Sequence, residues 1–553
     1  MKDKLLNTKL LRYFHNKVMN FFYLRRNKRI FSNLPKSNNK DSKIVLFLTV
    51  RTFVRSPQTY LEASIAHALE ASGLRVLMLH CDNVLDSCDG DTYVDPKKQD
   101  LFCSRCKENR KRLIESLNLE FCSYRQFLTP SCLKQTNDSV YSSQKNINEL
   151  RNMMLHGVNV GEHAISSTIR YFLTHSFDEN NSEHIKIFKK KLYNACLSVE
   201  LAHLLHIQYG TRIEHIVMVH GIYATWGAFY DYYKIRNIDS VIYSLGIIHA
   251  GSVAFHRNGQ EWETFYPDTW KKLRERNLTP EENEKVDKYI NNRFFNMLGV
   301  DLKIYSQVAS GEKKQILEHL NHKPYKNRYV FYTHTIWDSV LENQSAAFNG
   351  FVDMFNKTVE YFLKHTDKQL VIKIHPFELA WEKGSYSMLD YIKTHFPKLS
   401  DNIYILPPST PVGAYEVVDD RTIGLTYVGS IGYELPVIGV PVLVGGLIHY
   451  RNEGGVGVAI DSLEQYYSLL DDPSVAFEMT QKNLHLARKW CYYFYHMLHF
   501  DLPVCGSDRY ARIDWEQMKN LRSMLTNRES ALSRICKKIR DRTDIINVKE
   551  DNL

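Results

Sequence analysis

The sequence predicts an α/β protein with two doubly wound, Rossmann-like domains, each built on a mainly parallel sheet. Three observations lead to this prediction. A strand–helix–strand pattern stands near the start of the chain, a similar pattern restarts after about residue 320, and the strand-like runs are almost continuously Val, Ile and Leu. Such runs are typical of strands covered on both faces by helices. A length of 553 residues also exceeds one ordinary core.

The first domain is predicted over residues 41–320. Its opening unit is a β-α-β motif, which implies parallel strands with a right-handed crossover. A Cys-bearing stretch at about 82–135 then interrupts the pattern as an insertion. The elements predicted for this domain are a strand at 43–50, a helix at 57–73, and strands at 74–81, 215–221 and 240–246.

The second domain is predicted over residues 321–505, and a polar helical tail over 506–553. Two such domains leave a cleft between them, and in doubly wound sheets ligands bind beyond the C-terminal ends of the strands. The strand-like runs of the second domain lie at 327–335, 368–376, 402–408, 422–430 and 439–446.

Residues 1–40 form a basic amphipathic tail. They hold seven lysines and four arginines against one aspartate, while the rest of the chain is close to neutral. Basic amphipathic helices can lie on anionic lipid, and they can also dock one apolar face on their own domain. Nucleic acid is not expected as a partner, because the basic charge does not extend onto the folded body.

No apolar run is long enough to span a membrane, which takes about 20 residues. The basic N-terminus is not followed by the apolar core and cleavage site of a secretory signal. We therefore expect a cytoplasmic protein, with a peripheral position on the inner face of the cell membrane if residues 1–40 bind lipid.

Six of the ten cysteines fall between residues 81 and 132. Cys103 and Cys106 form a CxxC pair, which in a cytosolic protein more often binds metal or does redox work than forms a bridge. Cys81 and Cys88 complete a candidate structural zinc site, although their spacing is wider than is usual in a zinc knuckle. Partly buried, unligated thiols are the other interpretation.

Polar residues follow the first, second and fourth predicted strands of the second domain. His375 stands before Pro376, which stops the strand and leaves the imidazole at the rim of the sheet. Its two interpretations are a hydrogen bond to a phosphate or carboxylate and a cap on the next turn. Asp338, after the first strand, either contacts ligand or caps the following helix.

The turn between the fourth and fifth strands carries Ser430, Gly432 and Glu434. Ser430 is predicted to N-cap a short helix whose free N–H groups suit a phosphate. Glu434 suits a pair of sugar hydroxyls, with stabilisation of the helix dipole as the alternative. In the loop after the fifth strand, Arg451 is a candidate partner for an anionic phosphate.

The segments VIKIHPFE, ILPPSTPVGAYEVVDD and TYVGSIGYELPVIGVPVLVGGLIHYRNEGG resemble the donor-binding half of bacterial capsular polysaccharide synthesis glycosyltransferases, a group that includes the Kdo transferases. The resemblance extends to THTIWD and to CDNVLDSC with CSRC, GVNVGEHAISSTIRYF and VHGIYATWG in the first domain. It covers most of residues 41–500. It implies a two-domain GT-B architecture whose C-terminal domain binds a nucleotide-activated sugar and whose N-terminal domain receives the glycan or lipid-linked acceptor.

Carried over residue by residue, the resemblance implies that His375 contacts the donor phosphate and that Ser430 and Glu434 hold phosphate and ribose. No DxD motif stands in a loop context, so we expect the leaving-group charge to be met by His375, Arg451 and the helix dipole without an obligatory metal. For the base that takes the acceptor proton we look to Glu162 first and His220 second. Glu162 is equally placed to be a structural partner of Arg170.

Two rival functions remain open at this stage. Epimerases that act on carbon 2 of N-acetylglucosamine resemble this chain in having a His-Pro pair and a Gly-rich, acid-bearing turn. They usually carry paired acids in that turn, whereas Glu434 stands between Tyr433 and Leu435. The other rival is a non-catalytic capsule assembly factor that turns over no donor.

Overall fold

The computed structural model describes residues 9–36, 41–89, 101–141, 146–245, 251–260, 266–294, 310–337, 345–376, 378–381, 387–451, 456–502, 504 and 513–548. Its contacts divide the chain into two units. The first unit comprises Met1–Ser167, Asn180–Gly259 and Phe500–Ile546, and the second comprises Thr168–Glu179, Gln260–His499 and Asn547–Leu553.

These units differ from the predicted domains in four places. Residues 9–36 belong to the first unit rather than to a separate tail, Thr168–Glu179 belong to the second unit, and the chain returns to the second unit at Gln260 rather than near residue 320. The C-terminal segment is also not a separate tail, because its last helix packs in the first unit. There Cys536 Sγ lies 3.7 Å from the carbonyl oxygen of Ile65, and the carbonyl of Lys538 accepts a hydrogen bond of 2.8 Å from Arg257.

The first unit contains a seven-stranded sheet and a two-stranded hairpin. The sheet strands are β1 (Ile44–Val50), β2 (Arg75–His80), β3 (Phe121–Ser123), β6 (Ile213–Val219), β7 (Asp239–Leu245), β8 (Ser252–Arg257) and β15 (His499–Asp501), and the hairpin strands are β4 (Met154–Leu155) and β5 (Val158–Asn159).

The sheet order is β15-β8-β7-β6-β1-β2-β3. Strands β3, β2, β1, β6 and β7 are parallel neighbours, and β8 runs antiparallel to β7. The predicted β-α-β motif at the start of the chain is confirmed. Its helix begins at Pro57, whose fixed φ suits a first helical position, and ends before Gly73, which adopts a left-handed φ of 96°.

Helices of the first unit cover its parallel strands. They are α1 (Lys9–Phe31), α2 (Pro57–Ala71), α3 (Leu101–Leu117), α4 (Pro130–Tyr141), α5 (Ile147–Arg151), α6 (Val160–Phe172, which continues into the second unit), α7 (Ser182–Tyr209), α8 (Gly227–Lys234), α18 (Trp515–Met518), α19 (Leu521–Thr526) and α20 (Ala531–Asp541).

The second unit contains a six-stranded sheet in which every neighbouring pair is parallel. Its strands are β9 (Arg328–Tyr332), β10 (Gln369–Lys373), β11 (Ile403–Leu406), β12 (Thr422–Thr426), β13 (Val442–Val444) and β14 (Val458–Ala459). Its helices are α9 (Pro267–Glu275), α10 (Pro280–Phe294), α11 (Ser310–Leu320), α12 (Phe351–Lys364), α13 (Glu378–Trp381), α14 (Met388–His395), α15 (Ile431–Glu434), α16 (Leu463–Asp471) and α17 (Ser474–Tyr492).

The order of this second sheet is β11-β10-β9-β12-β13-β14. Numbered along the chain within the unit, it reads 3-2-1-4-5-6, the order of dinucleotide-binding Rossmann folds. The chain winds outward from β9 to one side and then from β12 to the other. The point of reversal lies between β9 and β12, and it opens a crevice beyond the C-terminal ends of these two strands.

Both units are therefore Rossmann-like α/β structures, as the sequence predicts. All five strand-like runs predicted for the second domain are strands in the structure, each shorter than predicted. Among the described residues, no helix is both long enough and apolar enough to cross a membrane.

Candidate functional site

A pocket opens at the C-terminal edge of the second sheet, beside the point where the strand order reverses. Residues that follow three neighbouring strands line it: Thr333 and His334 after β9, His375 after β10, and Gly429 and Ser430 after β12. The edge agrees with the strand-end rule on which the sequence prediction rests.

The ends of β9 and β10 are tied together at this pocket. The backbone N–H of Thr333 donates to the carbonyl of Lys373 over 3.1 Å, and the Thr333 hydroxyl accepts from the backbone N–H of His375 over 3.0 Å. Pro376 then turns the chain away. The imidazole of His375 therefore stands at the rim of the sheet, as predicted.

Two uncharged imidazoles stand in the pocket. Burial, with Arg293 and Lys373 nearby, lowers the pKa of His375 to about 4, and burial with repulsion from His375 lowers the pKa of His334 to about 3. Both rings are neutral near pH 7, so each offers a hydrogen bond rather than a positive charge. His334 is held against Phe351, at a ring distance of 4.1 Å.

Lys373 is a cation at the floor of the same pocket. It is the last residue of β10 and only 3% exposed. Burial lowers its pKa to about 8, and the nearby Glu416 carboxylate offsets part of that effect. Glu416 is itself paired with Lys313. Most Lys373 side chains are therefore protonated near pH 7, inside a pocket that suits an anion.

Arg293 is the second cation in the pocket wall. It lies in the last turn of α10, and its side chain is 31% exposed. One of its terminal nitrogens lies 3.6 Å from Glu434 Oε1. The Glu434 charge raises the pKa of Arg293 further above its ordinary value. The guanidinium is thus held in place by a carboxylate while part of it faces solvent.

Glu434 is buried in a cluster of tyrosines, with an exposed fraction of 1%. Tyr495 donates to Oε1 over 2.6 Å, Tyr415 donates to Oε2, and the Tyr289 hydroxyl lies 3.5 Å from Oε1. Tyr433 bonds the Tyr495 hydroxyl over 2.9 Å. Charge-assisted hydrogen bonds of this kind stabilise a carboxylate that has left water. The sequence predicted that Glu434 contacts ligand hydroxyls or stabilises the helix dipole, and it did not predict these tyrosine partners.

Ser430 and Gly432 differ in their relation to the pocket. Ser430 lines it but makes no side-chain cap, and its backbone is already helical, with φ −59° and ψ −23°. Ser430 therefore occupies the predicted N-cap position without a side-chain capping hydrogen bond, and the helix that follows has only four residues. Gly432 faces Tyr450 instead, since a Cβ there would lie 2.2 Å from the Tyr450 hydroxyl oxygen.

Arg451 is directed away from the pocket. Its side chain is 1% exposed, and Nη2 donates to the carbonyl of Ile460 over 2.7 Å and pairs with Asp461. These bonds fix the chain after β14. The prediction that Arg451 meets the donor phosphate is not supported, because its guanidinium is used inside the fold. Asp338, the remaining predicted donor contact, lies outside the described residues.

In the first unit, the two candidate bases, Glu162 and His220, lie on two chain segments that are connected by hydrogen bonds of His163. Glu162 is half-buried in the first turn of α6, and the next residue, His163, bonds the Ile222 carbonyl over 2.6 Å and Asp231 over 2.9 Å. His220 is exposed directly after β6, with a left-handed φ of 64°. His220 therefore lies at the C-terminal end of β6, whereas Glu162 lies on the helix that follows the hairpin strand β5.

His163 carries a proton on both nitrogens in this arrangement, because each nitrogen faces an acceptor. Burial opposes the charge, but Asp231 and the Ile222 carbonyl outweigh it and raise the pKa of His163. The charged ring joins α6 to the segment that begins with His220.

The four cysteines of the candidate zinc site do not form a ligand set. Cys106 Sγ accepts from the backbone N–H of Thr52 over 3.4 Å, and Cys103 lies 3.4 Å from Asn83 Oδ1. Cys88 is half-buried, and burial raises the pKa of Cys81 to about 12, which disfavours the thiolate that a metal needs. Within the described ranges, no three His, Cys, Asp or Glu side chains are grouped to hold a metal ion.

Sequence reasoning missed Arg293, Lys373 and the tyrosines around Glu434. Lys373 did leave a signal, as the only charged residue in the strand QLVIK. Arg293 and the tyrosines left none, because they reach the pocket from positions between 289 and 495 with no fixed spacing to the motifs.

No family model matches this sequence, and no curated protein matches it. Solved structures do show similarity. A β-Kdo 2,4-transferase, KpsC of Thermosulfurimonas dismutans, is 11% identical, with 57% of this chain and 89% of that chain covered and a TM-score of 0.33. The UDP-GlcNAc 2-epimerase of Neisseria meningitidis, bound to UDP-GlcNAc, is 10% identical, with 82% and 97% covered and a TM-score of 0.24.

The glycosyltransferase of kitacinnamycin is 10% identical, with 92% of this chain and 100% of that chain covered and a TM-score of 0.21. Similarities of this size do not decide between sugar transfer and epimerisation. We therefore infer the function from the residues of this chain.

Proposed function

We propose that this protein is a glycosyltransferase of the GT-B type that moves a sugar from a nucleotide-activated donor to a growing surface polysaccharide or lipid-linked acceptor. The observation that carries the proposal is the pocket at the reversal point of the second sheet. It combines two cations, two neutral imidazoles and strand-end hydroxyls at the edge where Rossmann-like sheets bind nucleotides.

In this proposal the phosphates of the donor lie against Lys373 and Arg293. A fixed positive charge stabilises the leaving nucleotide as the bond to the sugar breaks. His375 donates a neutral hydrogen bond to a phosphate oxygen, and the hydroxyls of Thr333 and Ser430 provide further contacts. No divalent metal is required for this stabilisation.

Glu434 has two proposed roles that an experiment can separate. The sequence motif suggests a contact with the ribose hydroxyls. The surroundings of the side chain favour a positioning role instead, since Tyr415 and Tyr495 already occupy both oxygens and Arg293 lies 3.6 Å away. We favour the positioning role, in which Glu434 orients Arg293 toward the phosphates.

The transfer step needs one base. The acceptor hydroxyl oxygen attacks the anomeric carbon, the bond from that carbon to the phosphate oxygen breaks, and the electron pair leaves with the nucleotide. The proton of the acceptor passes to a base, for which Glu162 and then His220 of the first unit are proposed. Capsular polysaccharide as the product, and work at the inner face of the cell membrane, are the finer parts of this proposal.

A nucleotide-sugar 2-epimerase is the alternative enzyme. Epimerisation at carbon 2 removes and returns a proton, which requires an available base beside the sugar. Among the described residues that line the pocket, Glu434 is the one carboxylate, and it is bonded to two tyrosines. This observation favours transfer.

Calorimetry with CMP, UDP, GDP and dTDP tests the proposal, first on the unchanged protein and then on Lys373→Met and Arg293→Gln. We expect one nucleotide to bind and both variants to weaken it by about ten-fold or more, as for a lost charged hydrogen bond. Arg488→Gln is the matched control, because Arg488 has a side-chain exposure of 21% and pairs with Asp287 outside the pocket.

Failure of every nucleotide to bind would contradict the donor site and favour a non-catalytic assembly factor. Binding that is unchanged in both pocket variants would place the nucleotide elsewhere. If a nucleotide binds, incubation of the corresponding nucleotide sugar without acceptor separates the two enzymes, since an epimerase converts it and a transferase leaves it unchanged.

A further inference from the structure

The first helix of the chain exposes a row of large apolar side chains. Phe14, Val18, Phe21 and Phe22 are 55%, 52%, 59% and 50% exposed. Their spacing of four, three and one residues places them on one face of α1. Four large apolar side chains side by side at the surface are typical of an interaction site rather than of an ordinary helix surface.

The same face becomes basic in the next turns of α1. Arg25 follows Phe21 by four residues, Arg29 follows Arg25 by four, and both are exposed. The helix sequence from Lys9 to Phe31 contains no Asp or Glu. The exposed face is thus apolar in its first half and positively charged in its second.

A neighbouring helix adds to this charge. A groove between α1 and α3 is lined by Lys17, Phe21 and Leu24 on one side and by residues 107–109, 111 and 112 of α3 on the other. The α3 side contributes Lys107, Lys111 and Arg112, all exposed, and one acid, Glu108. Apolar and cationic groups therefore lie together over two adjacent helices.

The opposite face of α1 is fixed to the first unit. Tyr23 packs edge-on against Trp515 at a ring distance of 5.0 Å, Asn27 donates to the Ser116 hydroxyl over 3.2 Å, and Phe31 stacks on a buried histidine at 5.4 Å. These contacts hold α1 on the body of its unit and leave the apolar and basic face outward.

We propose that this face, defined as Phe14, Val18, Phe21, Phe22, Arg25 and Arg29 with the α3 cations Lys107, Lys111 and Arg112, docks on an anionic phospholipid bilayer. The phenylalanines enter the boundary between headgroups and acyl chains, and the cations meet the phosphates. The face is lipid-binding rather than self-associating because two copies joined symmetrically through it would bring like charges together.

This inference deepens the proposed position at the membrane and rests on that part of the proposed function. Vesicle binding requires no nucleotide sugar, so the two proposals can fail separately. If the protein binds vesicles but no nucleotide, the proposed docking face is supported and the proposed donor site is contradicted. If it binds a nucleotide but no vesicles, the donor site is supported and the docking face is contradicted.

The test is co-sedimentation of the full chain with vesicles of phosphatidylcholine containing phosphatidylglycerol, compared with vesicles of phosphatidylcholine alone. We expect binding to the anionic vesicles that weakens in 0.5 M salt. The double variant F21S/F22S should lower the binding constant by about ten-fold or more, and R25E/R29E by about twenty-fold or more, since each cation near an anionic surface contributes about five-fold.

Matched double variants on other surfaces of the first unit are the controls. I207S/I235S removes two apolar side chains that are 66% and 51% exposed, and K134E/K186E reverses two exposed lysines on α4 and α7. Both should bind anionic vesicles as the unchanged protein does. All variants are first compared by circular dichroism and melting temperature.

Three results would overturn the proposal. The unchanged protein could bind no vesicles of either composition, the face variants could bind as well as the controls, or F21S/F22S could convert a dimer to a monomer in light scattering without changing vesicle binding. The last result would identify the face as a contact between two copies of the chain.

Discussion

Tyr495 donates a hydrogen bond of 2.6 Å to the carboxylate of Glu434, across 61 residues of sequence. Tyr415 bonds the other oxygen of the same carboxylate, and Arg293 lies 3.6 Å from it on the pocket side. The buried carboxylate of Glu434, held by these tyrosines, thus supports the partly exposed guanidinium of Arg293. Three predictions follow from this cluster and its pocket, and a fourth from His163 of the first unit.

The first prediction concerns how Glu434 acts. Glu434→Gln keeps the shape of the side chain but removes the charge that holds Arg293. We expect nucleotide affinity to fall by about ten-fold, and the affinity for inorganic pyrophosphate to fall equally, because the damage is to phosphate binding. Calorimetry with both ligands is the measurement. A loss for the nucleotide with no loss for pyrophosphate would instead support a ribose contact.

The second prediction concerns the stability of the cluster. Tyr495→Phe removes a donor from a buried carboxylate, so we expect a loss of about 2–3 kcal/mol in the free energy of unfolding of the second unit. Tyr466→Phe is the control, since the Tyr466 hydroxyl is also buried but bonds the neutral hydroxyl of Thr358 over 2.6 Å. It should cost about 1 kcal/mol. Equal losses in denaturant unfolding would show that the Glu434 charge contributes little.

The third prediction concerns the pH dependence of ligand binding. Because burial lowers the pKa of Lys373 to about 8, its charge is present at pH 7 and mostly lost at pH 9. We expect nucleotide affinity to fall by up to about ten-fold between these values, while the terminal phosphate, with a second pKa of about 6, becomes only slightly more ionised. The measurement is calorimetry across this range.

Lys373→Met is the control for that pH series. It should bind weakly at every pH and show no step near pH 8. A step of the same size in this variant would assign the titration to another group.

The fourth prediction concerns His163. Its pKa is raised by Asp231 and by the Ile222 carbonyl, so its contribution to stability is complete below the ordinary value near 6.5 and is lost as the pH rises through the raised native value. We expect hydrogen exchange in residues 220–227 to accelerate over this rise. His163→Gln should exchange fast throughout. Equal pH profiles for the two proteins would exclude a charged His163.

The sequence was sufficient to predict nine of the strands and the edge where the pocket lies, but not β3, β4, β5, β8, β14 and β15. Runs such as IVLFLTV and VPVLV are too apolar for any element that is not covered on both faces, and strands so covered are parallel in α/β folds. Once the order of the strands in the second sheet is known, right-handed crossovers fix the point where that order reverses. His375 and Ser430 line the pocket because they directly follow its strands.

The side chains that complete the pocket could not be predicted in the same way. Arg293 and Lys373 face the pocket because of how α10 and β10 pack, and no local spacing encodes that packing. Arg451 was misassigned because a Gly-rich loop suggested exposure, whereas the arginine satisfies a backbone carbonyl inside the fold. The segment 260–320 was assigned to the first domain but belongs to the second unit. Its sequence predicts helices without a strand, and such a pattern does not indicate which sheet the helices pack against.

The tyrosine cluster also bears on how the pocket is acquired during synthesis. Its members enter the chain at residues 289, 415, 434 and 495, and the hydrogen bond from Tyr289 to Glu434 alone spans 145 residues. Contacts so distant in sequence form late, because the chain between them must first be ordered. A nascent second unit that has not yet reached Tyr495 has the strands β9, β10 and β12 but lacks the donor that bonds Glu434 Oε1 over 2.6 Å. The set of hydrogen bonds that holds Glu434 beside Arg293 is therefore complete only once the chain has reached Tyr495, so the final ordering of the pocket is coupled to completion of the unit.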